Sequence, residues 1–267
     1  MDKIKPMVSV VMSEYGSDPR LFIKSVKSIL TQTYSNLEVV LIDDNTNDDI
    51  KKIMKSFHDS RIKVFLNKEN RGLAYSLNKA LTKCSGTYIA RADTDDISLP
   101  HRIERQVSFL ENNKQIDLIG AQALYYDNKG EWGESAAPIG LIKRSHLIKG
   151  NPIIHPTIVA RKEVFDEYGP YPEYERCEDY ALWIHFFQKG CKLYNLNEPV
   201  IMYHFSKNDY DKRILRERKG LLRLLQHEFR RLQPTVKELM FIYLKTITMG
   251  LVPKQIAYMY HRRKYKY

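Results

Sequence analysis

The sequence contains little cysteine and no long apolar run. Cys84, Cys177 and Cys191 are few, odd in number and far apart, which argues against a disulfide framework and a zinc site and favours a reducing compartment. No window holds the roughly 18 apolar residues of a membrane-spanning helix. Residues 1–6 also lack the apolar stretch of a signal peptide. We therefore expect a cytoplasmic protein, and its 43% hydrophobic residues suffice for a core.

Two common phosphate-binding motifs are also missing. No Gly-x-Gly-x-x-Gly follows the first predicted strand, and no Walker-type lysine loop occurs in the chain. These absences argue against a dinucleotide-dependent dehydrogenase and a P-loop enzyme. Any phosphate bound here is therefore expected to be held through a metal ion.

The excess positive charge is confined to one part of the chain. Residues 207–267 contain 16 lysines and arginines and 5 aspartates and glutamates, whereas residues 1–206 contain 27 of each class. The net charge of +11 therefore comes from residues 207–267 alone. This shift in composition predicts two domains, a first over 1–206 and a basic, amphipathic, helical domain over 207–267.

The first hundred residues alternate between strand and helix patterns. Apolar runs predict four buried strands, at 7–12, 37–42, 62–66 and 87–92. Alternation of this kind is typical of a parallel, doubly wound α/β sheet. Ligands bind such sheets beyond the carboxyl ends of the strands. Polar residues that follow the strands should therefore gather at one edge, namely Ser13, Glu14, Tyr15, Asp43, Asp44, Arg71, Asp93, Asp95 and Asp96.

Three carboxylates, Asp93, Asp95 and Asp96, follow the fourth strand within four residues. Three like charges repel one another and resist burial, so a cation is expected among them unless they are solvated. Carboxylate oxygens are hard ligands, which favours Mg²⁺ or Mn²⁺. An acidic turn in water is the alternative that these three residues alone leave open.

Six short motifs resemble, in order, those of the family 2 glycosyltransferases. They lie at residues 8–12, 41–46, 70–74, 89–102, 155–157 and 178–180. Each motif is weak alone, but their common order over about residues 7–204 is specific. The resemblance implies an inverting, nucleotide-sugar-dependent enzyme of bacterial type. It also implies a GT-A fold, a Rossmann-like, mostly parallel mixed sheet flanked by helices, here with a C-terminal helical extension.

The resemblance assigns the chemistry to particular residues. Asp93 and Asp95 match the family's Asp-x-Asp motif. Asp95 would ligate Mn²⁺ or Mg²⁺ directly, while Asp93 would approach the donor's ribose or a metal-bound water. Asp96 is then expected to be a loop cap or to support the ligands from behind. Asp179 matches the general base with Glu178 beside it, although acidic residues in a helix's first turn are also favoured by the helix dipole.

Other matches concern the nucleotide of a UDP-sugar donor. Asp44 and Arg71 match positions that hold the uracil base, although a loop cap and a salt bridge would explain them equally well. Ser13, Glu14 and Tyr15 match the first loop, which packs on the nucleoside. Glu14 departs from the family pattern, because a small or apolar residue often stands there.

Two histidines are secondary candidates. His155, which precedes Pro156, is expected to be a structural or acceptor-side residue rather than a metal ligand. His204 ends the last predicted strand of the first domain, and it could complete the metal or pyrophosphate site. Neither histidine is close in sequence to the three carboxylates.

The residue types suit glycosyl transfer independently. A departing nucleoside diphosphate needs a cationic clamp, and an attacking hydroxyl needs a carboxylate to take its proton. A single inverting displacement needs no enzyme nucleophile, and the chain offers no obvious Ser/His/Asp or Cys/His set. We therefore predict transfer from a UDP-sugar to a glycan acceptor, either a polysaccharide precursor, which could be lipid-linked, or a protein-linked glycan.

Two alternatives belong to other classes. A nucleotidyltransferase acting on sugar phosphates also uses metal-binding carboxylates beside an α/β sheet, but it normally has a glycine-rich basic loop that residues 13–16 do not supply. A catalytically silent transferase-like binding domain would not need Asp93, Asp95 and Asp179 together. The choice of sugar and acceptor is expected to depend on residues 127–150 and 168–177 and on the basic tail.

The pattern of apolar and basic residues over 207–267 predicts three amphipathic helices with basic flanks. Two roles remain open for this tail. It contacts an anionic membrane surface peripherally, or it is a helical accessory domain that packs on the first domain or on a second copy. Nucleic-acid binding is disfavoured because no reader motif accompanies the charge. The first of these helices includes Arg213, Ile214, Arg216 and Arg218.

Overall fold

The structure, a computed structural model, describes residues 5–174, 176–207, 209 and 219–266. Within them, ten strands form one sheet. The strands are β1 (Val8–Glu14), β2 (Leu37–Asp43), β3 (Ile62–Leu66), β4 (Tyr88–Arg91), β5 (Ile97–Ser98), β6 (Leu118–Asp127), β7 (Gly130–Glu134), β8 (Gly140–Leu141), β9 (Val159–Arg161) and β10 (Leu193–His204). The helices before residue 206 are α1 (Pro19–Leu30), α2 (Asp48–Ser56), α3 (Leu73–Leu81), α4 (Arg102–Asn112), α5 (Arg144–Lys149), α6 (Lys162–Tyr168) and α7 (Glu178–Gln188).

The sheet is mixed, with a parallel half that matches the sequence prediction. Its order is β3-β2-β1-β4-β9-β6-β10-β5, with β7 beside β6 and β8 beside β10. The pairs β3–β2, β2–β1 and β1–β4 are parallel, and β6 is parallel to β10. Between these groups β9 runs antiparallel to both β4 and β6. The predicted mixed α/β sheet flanked by helices is thus confirmed.

Local sequence explains where the first helices begin. The side chain of Asp18 accepts hydrogen bonds from the backbone N–H groups of Arg20 and Leu21, and Pro19 occupies the first helical position of α1. Asn47 caps α2 in the same way through the N–H of Ile50, at 3.0 Å. These caps fix the directions in which the two helices leave the rim of the sheet.

Side chains of the central strand alternate between two cores. In β1, Val8, Val10 and Met12 pack with α1 residues such as Phe22, while Val11 faces the opposite core. This is the period of two that an extended strand imposes. The sheet is therefore covered by a buried cluster on each of its two faces.

Three helices follow in the basic tail, α8 (Lys219–Gln226), α9 (Val236–Leu251) and α10 (Lys254–Lys264). The predicted residues Arg213, Ile214, Arg216 and Arg218 lie outside the described residues, whereas the helices expected after Pro234 and Pro253 are present. None of the helices in the described part of the chain is long and apolar enough to cross a bilayer.

The tail helices pack on the first domain. Leu224, Leu225 and Phe229 share a buried cluster with Trp183 of α7. Arg144 adds polar contacts, donating to the carbonyl of Leu232 at 2.7 Å and pairing with Glu238 at 2.9 Å. The two parts contribute to one core. The division into two domains, residues 1–206 and 207–267, therefore stays a prediction.

Candidate active site

An acidic cluster occupies the loop after β4. Carboxylate oxygens of Asp93, Asp95 and Asp96 lie within 4.8 Å of one another. Asp96 is buried; its Oδ1 accepts the backbone N–H of His204 at 2.8 Å, and its Oδ2 has no partner among the described residues. Burial, followed by the charges of Asp93 and Asp95, raises the pKa of Asp96 well above its ordinary value. The loop is therefore short of positive charge.

His204 brings a second element to this cluster. It ends β10, and its Nδ1 lies 3.8 Å from Oδ2 of Asp95. The interaction with Asp95 raises the pKa of the imidazole. The structure thus brings together Asp95 and a residue about a hundred positions later, at the point where the sequence suggested a supplementary ligand.

Arg91 is a member of the site that the sequence analysis did not single out. Its guanidinium is buried and pairs with Asp93 through Nη2, while Nε and Nη1 have no partner among the described residues. Burial would lower the pKa of Arg91, but the charge of Asp93 outweighs it and the pKa is raised. Arg91 also lines the central cavity, so a buried cation faces the space where a diphosphate or sugar hydroxyl would lie.

The donor set fits a hard divalent cation. Three carboxylates converge, and the buried Oδ2 of Asp96 lacks the hydrogen bond that buried polar atoms normally have. Oxygen ligands of this kind suit Mg²⁺ or Mn²⁺. Asp96 is the most buried of the three, and Asp93 and Asp95 as the metal ligands stay a prediction.

A second pair of carboxylates, Glu178 and Asp179, begins α7. Asp179 is half-buried; its Oδ2 accepts from the side-chain amide of Asn151 at 2.6 Å and its Oδ1 accepts the N–H of Tyr180 at 2.7 Å. Burial raises the pKa of Asp179. Burial, with a contribution from Asp179, raises the pKa of Glu178 to about 7. A carboxylate whose pKa is raised is a better proton acceptor than an exposed one.

One cavity of about 590 Å³ joins these groups. Asp93 and Arg91 line it from the end of β4, and Glu178 and Asp179 line it from α7. Part of the remaining wall comes from the three segments on which the choice of substrate is expected to depend. They are residues 135–138, Arg176 and the tail residue Tyr265.

Asp44 directly follows β2, and its carboxylate accepts several hydrogen bonds. Oδ1 accepts the N–H of Arg71 at 2.8 Å and the amide of Asn67 at 2.7 Å, and Oδ2 accepts the N–H of Gly72 at 2.8 Å. Gly72 has φ of 83°, a conformation that glycine adopts easily. Asp44 therefore holds the turn that opens α3, which is the loop-cap alternative, and its role toward uracil stays a prediction.

Arg71 and Tyr15 are exposed at the same rim. The Arg71 guanidinium lies 4.5 Å from the ring centroid of Tyr75 and pairs with Glu69 at 3.1 Å. Together with residues 72–75 it borders a second cavity of about 390 Å³, whose walls share Arg176 and Glu178 with the first. Tyr15 is 61% exposed. Both side chains are accessible to a planar base, and their roles stay predictions.

Ser13 and Glu14 are placed differently from Tyr15. Glu14 is buried; its Oε1 accepts the N–H of Ser17 at 2.8 Å, and its Oε2 has no described partner. Ser13 continues β1 and pairs in register with Ile42. Neither residue is among the described residues that line the two cavities. Glu14 thus braces the first loop, and a contact of either residue with a nucleoside stays a prediction.

His155 lies in a 3₁₀ turn and not in the fully extended segment that its neighbouring prolines suggest. Its Nε2 is 2.9 Å from the hydroxyl of Tyr171, and the ring is buried against Trp183. Burial lowers the pKa of His155 well below its ordinary value, so the ring is neutral. It also lines the cavity, and its structural or acceptor-side role stays a prediction.

The fold and the site define a class of enzyme. A mixed α/β sheet carries an acidic loop at the end of β4, and a cavity connects this loop with the carboxylates of α7. Similarity to solved structures identifies the architecture as GT-A. The S. aureus TarS structure in complex with UDP superposes with a TM-score of 0.64 at 17% identity, covering 85% of this chain and 69% of that chain.

Sequence comparison gives the family. Residues 9–169 match the model of glycosyl transferase family 2, and the chain belongs to this family. The putative glycosyltransferase EpsE of Bacillus subtilis (strain 168) is 32% identical over 265 residues, which are 97% of this chain and 94% of that relative. The Escherichia coli UDP-Glc:alpha-D-GlcNAc-diphosphoundecaprenol beta-1,3-glucosyltransferase WfaP is 32% identical over 193 residues, 72% and 74% of the two chains. The predicted glycosyltransferase activity and GT-A fold are confirmed.

Proposed function

We propose that this glycosyltransferase transfers a sugar from a UDP-sugar to a hydroxyl of a glycan acceptor, with inversion at the anomeric carbon. The observation that carries the proposal is the single cavity that Asp93 and Asp179 both line. A leaving diphosphate and an attacking hydroxyl need opposite chemistry on opposite sides of the sugar. An acidic loop suited to a cation and a separate carboxylate with a raised pKa provide it.

Asp95 and Asp93 would hold Mn²⁺ or Mg²⁺ in this site. When bound, such an ion stabilises the negative charge that develops on the diphosphate. His204 stands beside Asp95, and Arg91 presents buried N–H donors at the base of the cavity. These cationic groups would orient the donor and limit the repulsion between its phosphates and the three carboxylates.

Asp179 is the proposed base. As the acceptor oxygen bonds to the anomeric carbon, the bond from that carbon to the diphosphate oxygen breaks, and the hydroxyl proton passes to Asp179. The hydrogen bond from Asn151 holds the carboxylate in one orientation. Burial raises the pKa of Asp179, and the charge of Asp179 in turn contributes to the raised pKa of the neighbouring Glu178. No covalent bond to the protein is needed.

The acceptor is proposed to be a growing polysaccharide precursor of bacterial type. This rests on relatives, one of which is named for O-antigen biosynthesis and another for amylovoran biosynthesis. WfaP is named for transfer to a sugar on diphosphoundecaprenol, so a lipid-linked acceptor used on the cytoplasmic side of a membrane is part of the proposal. A protein-linked glycan remains the second acceptor class, without a specific observation in its favour.

A membrane-facing surface fits such an acceptor. The helices α9 and α10 expose large apolar side chains, namely Val236, Met240, Phe241, Leu244, Ile247, Leu251, Ile256, Met259 and Tyr260. The tail that carries them also carries the whole net charge of +11. Apolar side chains flanked by lysine and arginine gain from both burial and charge attraction at an anionic lipid surface.

Vesicle flotation tests this surface on the full chain. Wild-type protein is expected to float with phosphatidylglycerol vesicles and much less with phosphatidylcholine vesicles, and a Met240→Asp, Leu244→Asp double variant should lose flotation. Lys52→Asp, at an exposed site on α2, is the charge-matched control. Equal flotation of wild type and double variant would contradict the membrane surface. Self-association that the double variant abolishes, without flotation of the wild type, would assign the surface to a second copy.

Donor binding is the sharper test of the function. In a thermal-shift panel of UDP-, GDP- and dTDP-sugars, UDP-sugars should raise the melting temperature, and the shift should require Mn²⁺ or Mg²⁺. A shift by GDP- or dTDP-sugars only would overturn the choice of nucleotide. The absence of any metal-dependent shift would overturn the proposed mechanism.

A further inference from the structure

The segment after α10 closes one wall of the catalytic cavity. Tyr265 lies more than eighty residues after Asp179 in sequence, yet both side chains line the same space. The ring of Tyr265 meets that of Tyr125 edge-on, with centroids 5.7 Å apart. A residue from the tail is therefore built into the site that the first domain provides.

This wall is fixed by backbone contacts and not by the tyrosine ring alone. The carbonyl of Tyr265 accepts the N–H of Glu134 in β7, at 3.0 Å. The fit is close, because a Cβ atom at Gly133 would overlap that carbonyl. The segment is thus seated on the β6–β7 hairpin at a position that admits only glycine opposite it.

The preceding helix turn is held by charge and aromatic contact. Arg262 pairs with the mostly buried Asp127 at 3.0 Å, and its guanidinium lies 5.0 Å from the ring centroid of Trp132. An ion pair with one buried partner and a cation–π contact together order this turn more strongly than an exposed pair would. Tyr265 is therefore positioned before any ligand arrives.

Aromatic side chains make up this end of the cavity. Tyr125, Tyr203, Phe205 and Tyr265 line it, with the polar Ser135 nearby. Stacked on Tyr125 from behind, Trp132 supports the cluster at a centroid separation of 4.9 Å. Aromatic faces pack well against apolar surface, while tyrosine hydroxyls can take part in hydrogen bonds. A ligand with C–H faces and a rim of hydroxyls suits such a surface.

We infer that this aromatic end, completed by Tyr265, is the subsite for the acceptor's terminal pyranose ring. A pyranose has apolar C–H faces and equatorial hydroxyls, and small-molecule sites are typically aromatic with a few convergent polar groups. The subsite and Asp179 line one cavity, which is the arrangement that transfer to a hydroxyl of the bound ring requires. The inference rests on the proposed function and adds the tail as a part of acceptor recognition.

A lipid chain is the other ligand that aromatic side chains could hold. The observations favour the sugar, because tyrosines, Ser135, Asn151 and His155 mix polar atoms into the wall. The exposed face of α9 is different, since a groove there is lined by Met240, Phe241, Leu244 and other mainly apolar side chains. An apolar chain would be expected there, and not in the cavity.

The test measures donor and acceptor binding separately on the full chain. Binding of UDP with Mn²⁺ is followed by thermal shift. Binding of the methyl glycosides of glucose, galactose and N-acetylglucosamine, with UDP and Mn²⁺ present, is followed by saturation-transfer NMR. We expect at least one glycoside to bind wild type and Tyr265→Phe, and Tyr265→Ala to weaken it about tenfold, the scale of one lost aromatic contact.

Two further variants distinguish the position of Tyr265 from the chemistry of its ring. Gly133→Ala keeps every lining side chain and should also weaken the glycoside, because the added Cβ displaces the carbonyl of Tyr265. His101→Ala removes an exposed ring that does not line the cavity and should change nothing. All variants should keep the UDP shift, which shows that they fold and keep the donor site.

The possible failures are distinct. If wild type shows no UDP shift, the proposed function falls and the subsite falls with it. If UDP binds but no glycoside does, or if Tyr265→Ala binds the glycoside as wild type does, only the subsite is overturned. Binding of an undecyl chain in place of the glycosides, lost in Tyr265→Ala, would assign the cavity end to lipid and would also overturn it.

Discussion

The buried guanidinium of Arg91 pairs with the carboxylate of Asp93 two residues later. Residues two apart in an extended chain project to the same side, so the end of β4 carries its own counter-ion into the acidic loop. The pair explains how several carboxylates can lie around one cavity. Arg91 lies near Asp96, Glu178 and Asp179 as well, and its charge lowers the pKa of each against the effect of burial.

Replacing Arg91 should therefore destabilise the fold. Removing one partner of a buried ion pair costs about 3–5 kcal/mol; because Asp93 is partly exposed, we expect about 2 kcal/mol or more for Arg91→Leu. Urea denaturation followed by circular dichroism measures the difference. Arg105→Leu is the control, since it breaks an exposed pair with Glu198 and should cost less than about 1 kcal/mol. Equal losses would contradict a special role for Arg91.

Arg91 also shows what the sequence could and could not predict. Apolar periodicity was sufficient for the strands β1 to β4 and the helices between them. An arginine inside such a run gives no local sign of whether it is buried, because burial depends on the antiparallel strand β9 beside it. A carboxylate partner two residues away was the available signal. It was interpreted only as a metal-binding motif.

The contacts between the tail and the rest of the chain could not be predicted from the sequence, for a similar reason. Amphipathic patterns predicted the helices after Pro234 and Pro253, but a pattern does not state which surface a helix covers. The fit of Tyr265 against Gly133 depends on how β7 pairs with β6, and no sequence pattern specifies a contact between residues more than a hundred positions apart. The candidate base could be placed opposite the acidic loop only through family resemblance.

Asp179→Asn and Glu178→Gln separate the roles of the two carboxylates of α7. Asp179→Asn should keep UDP binding and lose transfer by about 100-fold or more, the usual contribution of a general base. Glu178→Gln should retain more activity, because Asp179 and not Glu178 is the proposed proton acceptor. Initial rates with a radiolabelled UDP-sugar, together with the UDP thermal shift, measure both. Retained transfer by Asp179→Asn would remove Asp179 from the base role.

The raised pKa of Glu178 predicts how stability depends on pH. The pKa is about 7 in the folded chain against an ordinary 4.5, so the folded state binds the proton more tightly. The contribution of this group favours folding fully below pH 4.5 and is lost as the pH rises through about 7. Between pH 4.5 and about 7, ionisation of Glu178 should lower the free energy of unfolding by on the order of 3 kcal/mol at most. Glu178→Gln should not show this decrease.

Urea denaturation at pH 5 and pH 8 tests the effect of Glu178. The free energy of unfolding of Glu178→Gln should fall less between these values than that of wild type. Glu69→Gln, at an exposed position, provides a control that should behave as wild type does. A parallel decline of all three proteins would show that Glu178 does not titrate in this range.

Asp44→Ala tests whether this carboxylate chiefly holds the loop. The N–H of Arg71 would lose its acceptor, while Asn67 and Gly72 would keep only their second acceptors, Ser76 and Asn70. A buried donor left unsatisfied costs about 1–3 kcal/mol. We expect a clear loss of stability together with weaker UDP binding, because the Arg71 turn would shift. Calorimetry and UDP titration measure the two effects. Unchanged stability with lost UDP binding would instead indicate direct contact with the base.

Asp95→Asn and Asp96→Asn should divide the acidic loop into ligand and support. Asp95 is partly exposed and is the proposed direct ligand, so its loss should abolish the Mn²⁺-dependent UDP shift. Asp96 is buried and accepts the N–H of His204 through Oδ1, a bond that an asparagine oxygen can also accept. Asp96→Asn should therefore stay folded and keep a weakened metal-dependent shift, measured by titration of Mn²⁺ after EDTA treatment. If Asp96→Asn loses the shift while Asp95→Asn keeps it, the two assignments must be exchanged.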